Sequence, residues 1–322
     1  MVDYNIVNRK FFGNIDCHKT LIDISNFPQN EEVVINCDGI IEINPFNILV
    51  ISNALKQHQR NYDNLRFNKR IEGSYLDFMG FYRNCGFDSA DRINSFAYRQ
   101  GKYISITPIN LCTGTSFEND YDNIDSEAKK MASMLGFDQN LSRYVIYCFT
   151  EMMRNVFEHS GADRVYVCAQ YWPFHQLVEI AISDMGCGIK AAMNKHFHGG
   201  ESNMLKLAMF PGISARSNFG WFNDDNAYKN SGYGLYLTKE LSLAYAGSFM
   251  LCSGHYVLDY NNQGNKIRKS NYNGTAIAIR FSTDVKRDFA KTLQIILKKA
   301  ENLSMQRDDA IHKASKSSGG YV

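Results

Sequence analysis

The stretch TEMMRNVFEHSGA, residues 150–162, aligns an acid, an amide and an imidazole along one side of a predicted helix. Glu151, Asn155 and His159 fall at i, i+4 and i+8, a spacing that puts them on the same helix face. Apolar residues at helical spacing, such as Phe149, cover another face and predict packing against a core. The pattern therefore indicates either an ordinary solvated face or a site for chemistry.

Length and composition are those of a globular protein with room for two cores. The chain has 322 residues, of which 44% are hydrophobic and 21% are charged. Its net charge of +2 gives no overall attraction to nucleic acid or to a membrane surface. No apolar run approaches the ~20 residues of a membrane span, and no secretory leader is recognisable. The eight cysteines form no C-x-x-C pair, so we interpret them as reduced thiols of a cytoplasmic protein.

Turn-rich sequence divides the chain into two predicted domains and a tail. Residues 1–115 alternate strand and helix patterns, which predicts a small α/β domain. A polar segment at 112–128 marks the boundary, and residues 116–302 carry two long helical patterns followed by strand-rich sequence. The end of the sequence, HKASKSSGGYV, is small, polar and glycine-rich, which is typical of a flexible tail, and this tail is predicted to span 303–322.

Three further motifs follow residues 150–162 in the chain. They are Asp184, Gly186 and Gly188 of DMGCG at the end of an apolar strand, Gly232 and Gly234 of GYGL before a helix, and Thr275 at the start of the strand GTAIAIRF. Taken singly, each motif is more often a turn or a solvated surface. Their occurrence together, in one order and on suitable elements, is what predicts a ligand site.

The residues of DMGCG suit the base of MgATP. An ionised Asp184 only accepts hydrogen bonds, so it can accept one from the adenine amino group and would repel the carbonyl of guanine. Gly186 and Gly188 let the backbone approach a flat base because no Cβ stands in the way. Thr275 can hydrogen-bond the base, or a water molecule beside Asp184.

The other motifs suit the phosphates of the same ligand. The turn from Gly232 to Gly234 exposes backbone N–H groups at the positive end of a helix dipole, which favours phosphate. Asn155 offers a neutral oxygen to Mg²⁺ and is the candidate metal ligand. Glu151, one turn earlier, can hold and polarise a water molecule in line with the γ-phosphate, which makes it the candidate catalytic residue.

These motifs resemble those of the GHKL ATP-binding superfamily, which includes gyrase, heat-shock chaperones, histidine kinases and MutL. EMMRNVFEH resembles its N box, DMGCGI and SGYGLYLTKEL its two glycine boxes, and Thr275 its terminal threonine. The resemblance covers roughly residues 125–282 and implies a two-layer α/β sandwich with a mixed sheet. It also implies ATP and Mg²⁺ as cofactors, bound under a lid at about 190–231. Within that lid, Arg216 and Lys229 are candidate phosphate contacts or solvated loop cations.

Two details of the resemblance concern partners. The spacing from Glu151 through Asn155 to His159 is similar to that of the anti-sigma-factor serine kinases, which implies Glu151 as the base and STAS-fold proteins as partners. Residues 33–55 resemble a STAS domain, so the N-terminal domain is predicted to be STAS-like. Its segment NPFN, 44–47, holds no Ser or Thr for phosphorylation, which favours a docking role.

Several functions therefore stay open. The first is an ATP-driven regulatory switch with slow hydrolysis by a water molecule that Glu151 activates. The second is a serine/threonine protein kinase that acts on a STAS-like partner, and the third is an interaction module that binds ATP without hydrolysis. Nucleic-acid binding is disfavoured, because the basic run KIRK at 266–269 is typical of a solvated loop. A protein partner is expected, and a homodimer is one option for the oligomeric state.

Overall fold

The described part of the chain contains two sheets, ten α-helices and one short 3-10 helix at Pro173–His175. In this computed structural model it comprises residues 1–6, 17–40, 43–70, 74–87, 103–111, 117–215 and 232–311. The strands are β1 (Val2–Asn5), β2 (Val33–Asn36), β3 (Leu65–Phe67), β4 (Tyr103–Asn110), β5 (Arg164–Trp172), β6 (Leu177–Asp184), β7 (Ser248–Asn261) and β8 (Gly264–Ser282). The helices are α1 (Cys17–Ser25), α2 (Pro45–Tyr62), α3 (Tyr75–Phe78), α4 (Phe81–Asn84), α5 (Phe117–Leu135), α6 (Gln139–His159), α7 (Gly188–Met193), α8 (Glu201–Ala208), α9 (Gly234–Ala244) and α10 (Phe289–Ser304).

The N-terminal layer, which we define as β1–β3 with α1–α4, is a small α/β unit as predicted. Its sheet has the order β1-β2-β3 with both strand pairs parallel. Helical spacing of apolar residues and Pro45 predict a helix within residues 44–61, and α2 begins there, because the Asn44 side chain accepts a hydrogen bond from the Asn47 N–H and Pro45 occupies the first turn. The helix ends at Asp63, which adopts a left-handed backbone conformation.

The larger sheet has the order β4-β5-β6-β8-β7, and every neighbouring pair is antiparallel. The expected mixed sheet is therefore not observed here. Strand β4, which the sequence reading puts in the N-terminal domain, pairs with β5 along its length, from Tyr103 opposite Gln170 to Asn110 opposite Arg164. The sequence did not predict this pairing, because long-range packing selects strand partners. The turn-rich segment used to place the domain boundary gives no information about that packing.

Both faces of the five-stranded sheet are buried, so the fold has three layers. Along β6, Ile180 and Ile182 face the long helices α5, α6, α9 and α10 in one core. Ala181 faces the other way and joins a second core that the N-terminal layer contributes. Burial on both sides explains why β6 reads as a nearly continuous apolar run rather than an alternating one.

The described part of the predicted tail, up to Ile311, forms hydrogen bonds with other segments. Within the predicted tail 303–322, the backbone N–H of Ile311 donates to the Gly212 carbonyl at 2.8 Å. The Tyr233 hydroxyl donates to the Ile311 carbonyl at 2.9 Å. The segment up to Ile311 therefore packs beside the start of α9, and residues 312–322 lie outside the described residues.

Two further expectations concern the cysteine thiols and membrane-spanning helices. The seven described cysteines are all free thiols; six are buried and Cys187 is exposed. Cys112 lies outside the described residues. Among the described helices, none combines the length and the apolar character that crossing a bilayer requires.

Candidate functional site

One cleft gathers most of the predicted site residues. It opens between α6, the end of β6 and the start of α9, with a volume of about 780 Å³ when its open mouth is included. The predicted residues that line it are Asn155, Asp184, Gly188, Gly232, Gly234 and Thr275. Much of the remaining wall is apolar, including Met152, Val156, Ile182, Ile189, Leu235 and Ile277. Residues from four separate motifs thus meet around one largely apolar space.

At one end of the cleft, Asp184 presents a buried carboxylate. It is the last residue of β6, is 1% exposed, and lies opposite Thr275 of β8. Its Oδ1 accepts a hydrogen bond from the Gly186 N–H at 2.7 Å, and the Thr275 backbone also donates to the carboxylate. Burial raises the pKa of Asp184 to about 6, and the two backbone hydrogen bonds limit that rise. The group is therefore mainly ionised at neutral pH and acts as an acceptor.

The turn after Asp184 is held against the end of α6. The Cys187 N–H donates to the Ser160 carbonyl at 2.8 Å. Gly186 lies so close that a Cβ at this position would collide with the same carbonyl oxygen, so the turn requires glycine here. Gly186 thus stands behind the cleft wall, where it connects the first glycine motif to the helix that carries Asn155.

Glu151 lies against the first residue of α9. Its side chain is buried, with 4% of the residue exposed, although the sequence left a solvated helix face open as an alternative. A Cβ on Gly234 would overlap Glu151 Oε2, so any larger residue here would have to displace the Glu151 carboxylate. Glu151 Oε1 is buried and has no hydrogen-bond partner among the described residues. At Tyr233, the N-cap of α9, no side chain caps the helix.

Burial also controls the protonation of Glu151. Desolvation raises the pKa of Glu151 to about 7; Arg154 opposes the rise, and the carboxylates of Glu158 and Asp125 add to it. Arg154 is itself held by Asp125, with 3.2 Å between Nη2 and Oδ1. A carboxyl that titrates near neutral pH is well matched to accept a proton during a reaction.

The raised pKa of Glu151 predicts a pH-dependent stability. Between its ordinary value of 4.5 and about 7, the folded protein keeps a proton that the unfolded chain has lost, so stability falls as pH rises through this window. Glu151→Gln is expected to remove that loss and to raise the free energy of unfolding at pH 8 by about 1–3 kcal/mol. Urea unfolding at pH 5 and pH 8 measures it, with exposed Glu32→Gln as the control. The same pH dependence in wild type and Glu151→Gln would contradict the prediction.

Two predicted features remain, His159 and the lid, and only part of the lid lies among the described residues. His159 lines the cleft at the end of α6. The predicted lid at 190–231 includes α8, while residues 216–231, with Arg216 and Lys229, lie outside the described residues. Contact of these two cations with phosphate therefore stays a prediction.

Two serines that hydrogen-bond segments of the site were not predicted from the sequence. Ser160 receives the turn of the first glycine motif, as described above. Ser253 on β7 accepts a hydrogen bond from the Ile189 N–H at 3.0 Å and donates to the Gly274 carbonyl at 2.8 Å. Ser160 directly follows EMMRNVFEH and Ser253 belongs to no motif, and the sequence around either one does not distinguish it from a surface serine.

Any metal in this cleft would depend on its ligand for coordination. The described residues contain no group of three or more His, Cys, Asp and Glu side chains that could hold a metal ion. Asn155 supplies an uncharged oxygen donor, which Mg²⁺ accepts when phosphate oxygens and water complete its shell. The donor set is thus compatible with a metal that arrives together with a phosphate ligand.

Comparison of the chain with protein-family models, with curated proteins and with solved structures found no match. The geometry of the cleft and the chemistry of its residues are therefore the basis on which a function can be proposed.

Proposed function

We propose that the cleft binds MgATP and that the protein is an ATP-driven regulatory switch of the GHKL type with slow ATP hydrolysis. The proposal depends on one observation. A buried acceptor, Asp184, and the start of helix α9 border the same apolar cleft, and the buried carboxylate of Glu151, which does not itself line the cleft, contacts Gly234 at the start of α9. No single motif accounts for that convergence, whereas a ligand with a flat amino-bearing base and a charged phosphate chain does.

Asp184 supports assignment of the base to its end of the cleft. All the backbone groups that contact its carboxylate donate hydrogen bonds, so a remaining lone pair is available to one more donor. The adenine amino group is such a donor, and a guanine carbonyl is not. Apolar side chains such as Ile182 and Ile277 offer the surfaces on which a flat base packs.

The start of α9 supports assignment of the phosphates to the other end. Its first N–H groups are not capped by a side chain, and they carry the positive end of the helix dipole. Asn155 would hold Mg²⁺, whose charge would neutralise the phosphate oxygens. Glu151 would orient a water molecule and take its proton, since its carboxylate is buried and its pKa is about 7.

Calorimetry with MgATP tests the proposal directly. We expect a saturable heat of ATP binding to the wild-type protein and much weaker binding of GTP. The absence of binding at millimolar ATP would refute the proposal. Far-UV circular dichroism of the same sample establishes that the protein is folded.

Phosphate-labelled ATP distinguishes the three chemical outcomes that the site allows. Free labelled phosphate without a partner supports the hydrolytic switch. Transfer of the label to an added STAS-fold protein supports the kinase, in which Glu151 would deprotonate a partner hydroxyl and the STAS-like N-terminal layer would dock the partner. Binding without either product supports the interaction module.

Asn155→Ala is expected to weaken ATP binding about tenfold in Mg²⁺ and to have little effect in EDTA, because only the ion would contact the amide oxygen. Calorimetry in both buffers measures the difference. Asn302→Ala, at an exposed position of α10, is the matched control and should leave both affinities unchanged. An equal loss of affinity in the two buffers would show that Asn155 does not act through the metal.

A further inference from the structure

Helix α2 of the N-terminal layer runs along β6 and β8 on the face of the sheet opposite the cleft. Near its start, the Phe46 N–H donates to Glu179 Oε1 on β6 at 2.9 Å. Near its end, Gln57 Nε2 donates to the Asn273 carbonyl on β8 at 2.8 Å. The C-terminal half of α2 is thereby held behind the strand ends that carry the candidate base site.

Between these two contacts, Asn53 joins α2 to both strands. It is fully buried, and its Nδ2 donates to Ser183 Oγ at 3.2 Å and to the Tyr272 hydroxyl at 3.3 Å. Ser183 and Tyr272 also hydrogen-bond each other. Both hydroxyls approach the Asp184 carbonyl, at 3.4 Å and 3.5 Å. A polar connection therefore leads from α2 to the backbone of Asp184, whose carboxylate lies on the other face.

The orientation of Asn53 is itself determined by a neighbour. Asn84 Nδ2 donates to Asn53 Oδ1 at 2.7 Å, so the amide of Asn53 must present its NH₂ group to the sheet. Lys56 Nζ donates in turn to Asn84 Oδ1 at 3.2 Å. Each buried member of this network has a hydrogen-bond partner, which makes a single arrangement strongly preferred.

The network lies beside a cluster of small or apolar side chains on this face, which includes Cys168, Ala181, Cys252, Ala276 and Ala278. The other buried polar side chain of β6 on this face, Glu179, is paired with Arg280. Burying amides and hydroxyls there is unfavourable unless each is satisfied, and a satisfied network restricts how the strands can move. The polar residues occur at the strand ends beside the cleft, where restricted motion affects the site.

We infer that Asn53, Gln57 and Tyr272 are positioning residues that hold Asp184 and Thr275 in the orientation that selects the amino group of adenine. This inference rests on the proposed nucleotide function. It makes the N-terminal layer part of the base site, although none of its residues lines the cleft. Because coupling between sites is reciprocal, a partner that shifts α2 changes nucleotide affinity, and nucleotide changes affinity for that partner.

Base selectivity provides the test, with inosine triphosphate as the probe because it carries a carbonyl where ATP carries the amino group. In wild type, ATP should bind more tightly than inosine triphosphate. Tyr272→Phe and Gln57→Ala should each lower that preference about three- to tenfold, because a less constrained Asp184 discriminates less. Tyr245→Phe is the matched control, since it also removes a tyrosine hydroxyl that bonds to a carbonyl, at Arg287, outside the cleft. An unchanged preference in folded variants overturns the inference.

A second measurement separates this inference from the proposed function. In the ligand-free protein, the amides of Gly186 and Thr275, which donate to Asp184, should exchange hydrogen several-fold faster in Tyr272→Phe than in Tyr245→Phe. Unchanged exchange overturns the positioning role whether or not nucleotide binds. Faster exchange in a protein that binds no nucleotide refutes the proposed function and supports the positioning of Asp184 by α2.

Discussion

Replacement of Asp184 by asparagine is expected to abolish detectable ATP binding, with at least about a hundredfold loss of affinity. The carboxylate faces only donors: the Gly186 N–H at 2.7 Å, the Thr275 N–H, and in our proposal the adenine amino group. An asparagine has one acceptor oxygen, so its NH₂ group must oppose one of these donors. Calorimetry with MgATP measures the loss.

The control for this variant is Asp259→Asn. Asp259 is a buried strand carboxylate, 2% exposed, and it pairs with Arg268 away from the cleft. The Asp259→Asn variant should bind ATP like wild type. Because the pKa of Asp184 is about 6, the affinity of wild type for ATP should also fall as the pH is lowered through 6 and the carboxyl takes up a proton. Wild-type affinity in Asp184→Asn would remove the basis of the base assignment.

Replacement of Glu151 by alanine is expected to preserve ATP binding and to reduce hydrolysis at least about a hundredfold, the usual contribution of a general base. The carboxylate would act on water, so its removal leaves the contacts of Asp184 and α9 with the nucleotide intact. In wild type the rate should rise with pH through about 7, as Glu151 loses its proton. Phosphate release between pH 5.5 and pH 9 measures both effects.

Glu158→Gln is the matched control on the same helix. Glu158 is buried, and its Oε1 accepts a hydrogen bond from the Tyr121 hydroxyl at 2.7 Å, so it has a structural role outside the cleft. This variant should keep turnover. In wild type, the negative charge of Glu158 raises the pKa of Glu151. Removal of that charge in Glu158→Gln should therefore move the midpoint of the pH profile to lower pH. A wild-type rate in Glu151→Ala would show that another group is the base.

Elements with strong local signals were predicted well. The sequence predicts strands at 164–172 and 177–184, and β5 and β6 have those bounds. The period of the apolar residues and the short connection between the runs were sufficient, because both signals are local. The stretch SYLDFMGFYRNCGF, 74–87, predicts one helix, but it forms the two short helices α3 and α4, interrupted at Gly80, whose backbone is left-handed.

For the candidate site, too, local motifs were predictive and long-range contacts were not. Motif chemistry identified Asn155, Asp184 and Thr275, and these residues do line one cleft. The contributions of Ser160 and of Asn53 could not be predicted, because their roles depend on which carbonyl or hydroxyl a distant segment brings to them. A serine or an asparagine is a common residue in turns and helices, and its sequence context carries no trace of such a partner.

The amino-acid sequence by itself determined the types of most elements and the residues capable of chemistry, because apolar periodicity and functional groups are local properties of the chain. Only the tertiary structure decided the strand order, the burial of Glu151 and the contact of α2 with the strands behind Asp184. Those depend on which surfaces exclude water together, and that choice is made by packing over long sequence separations.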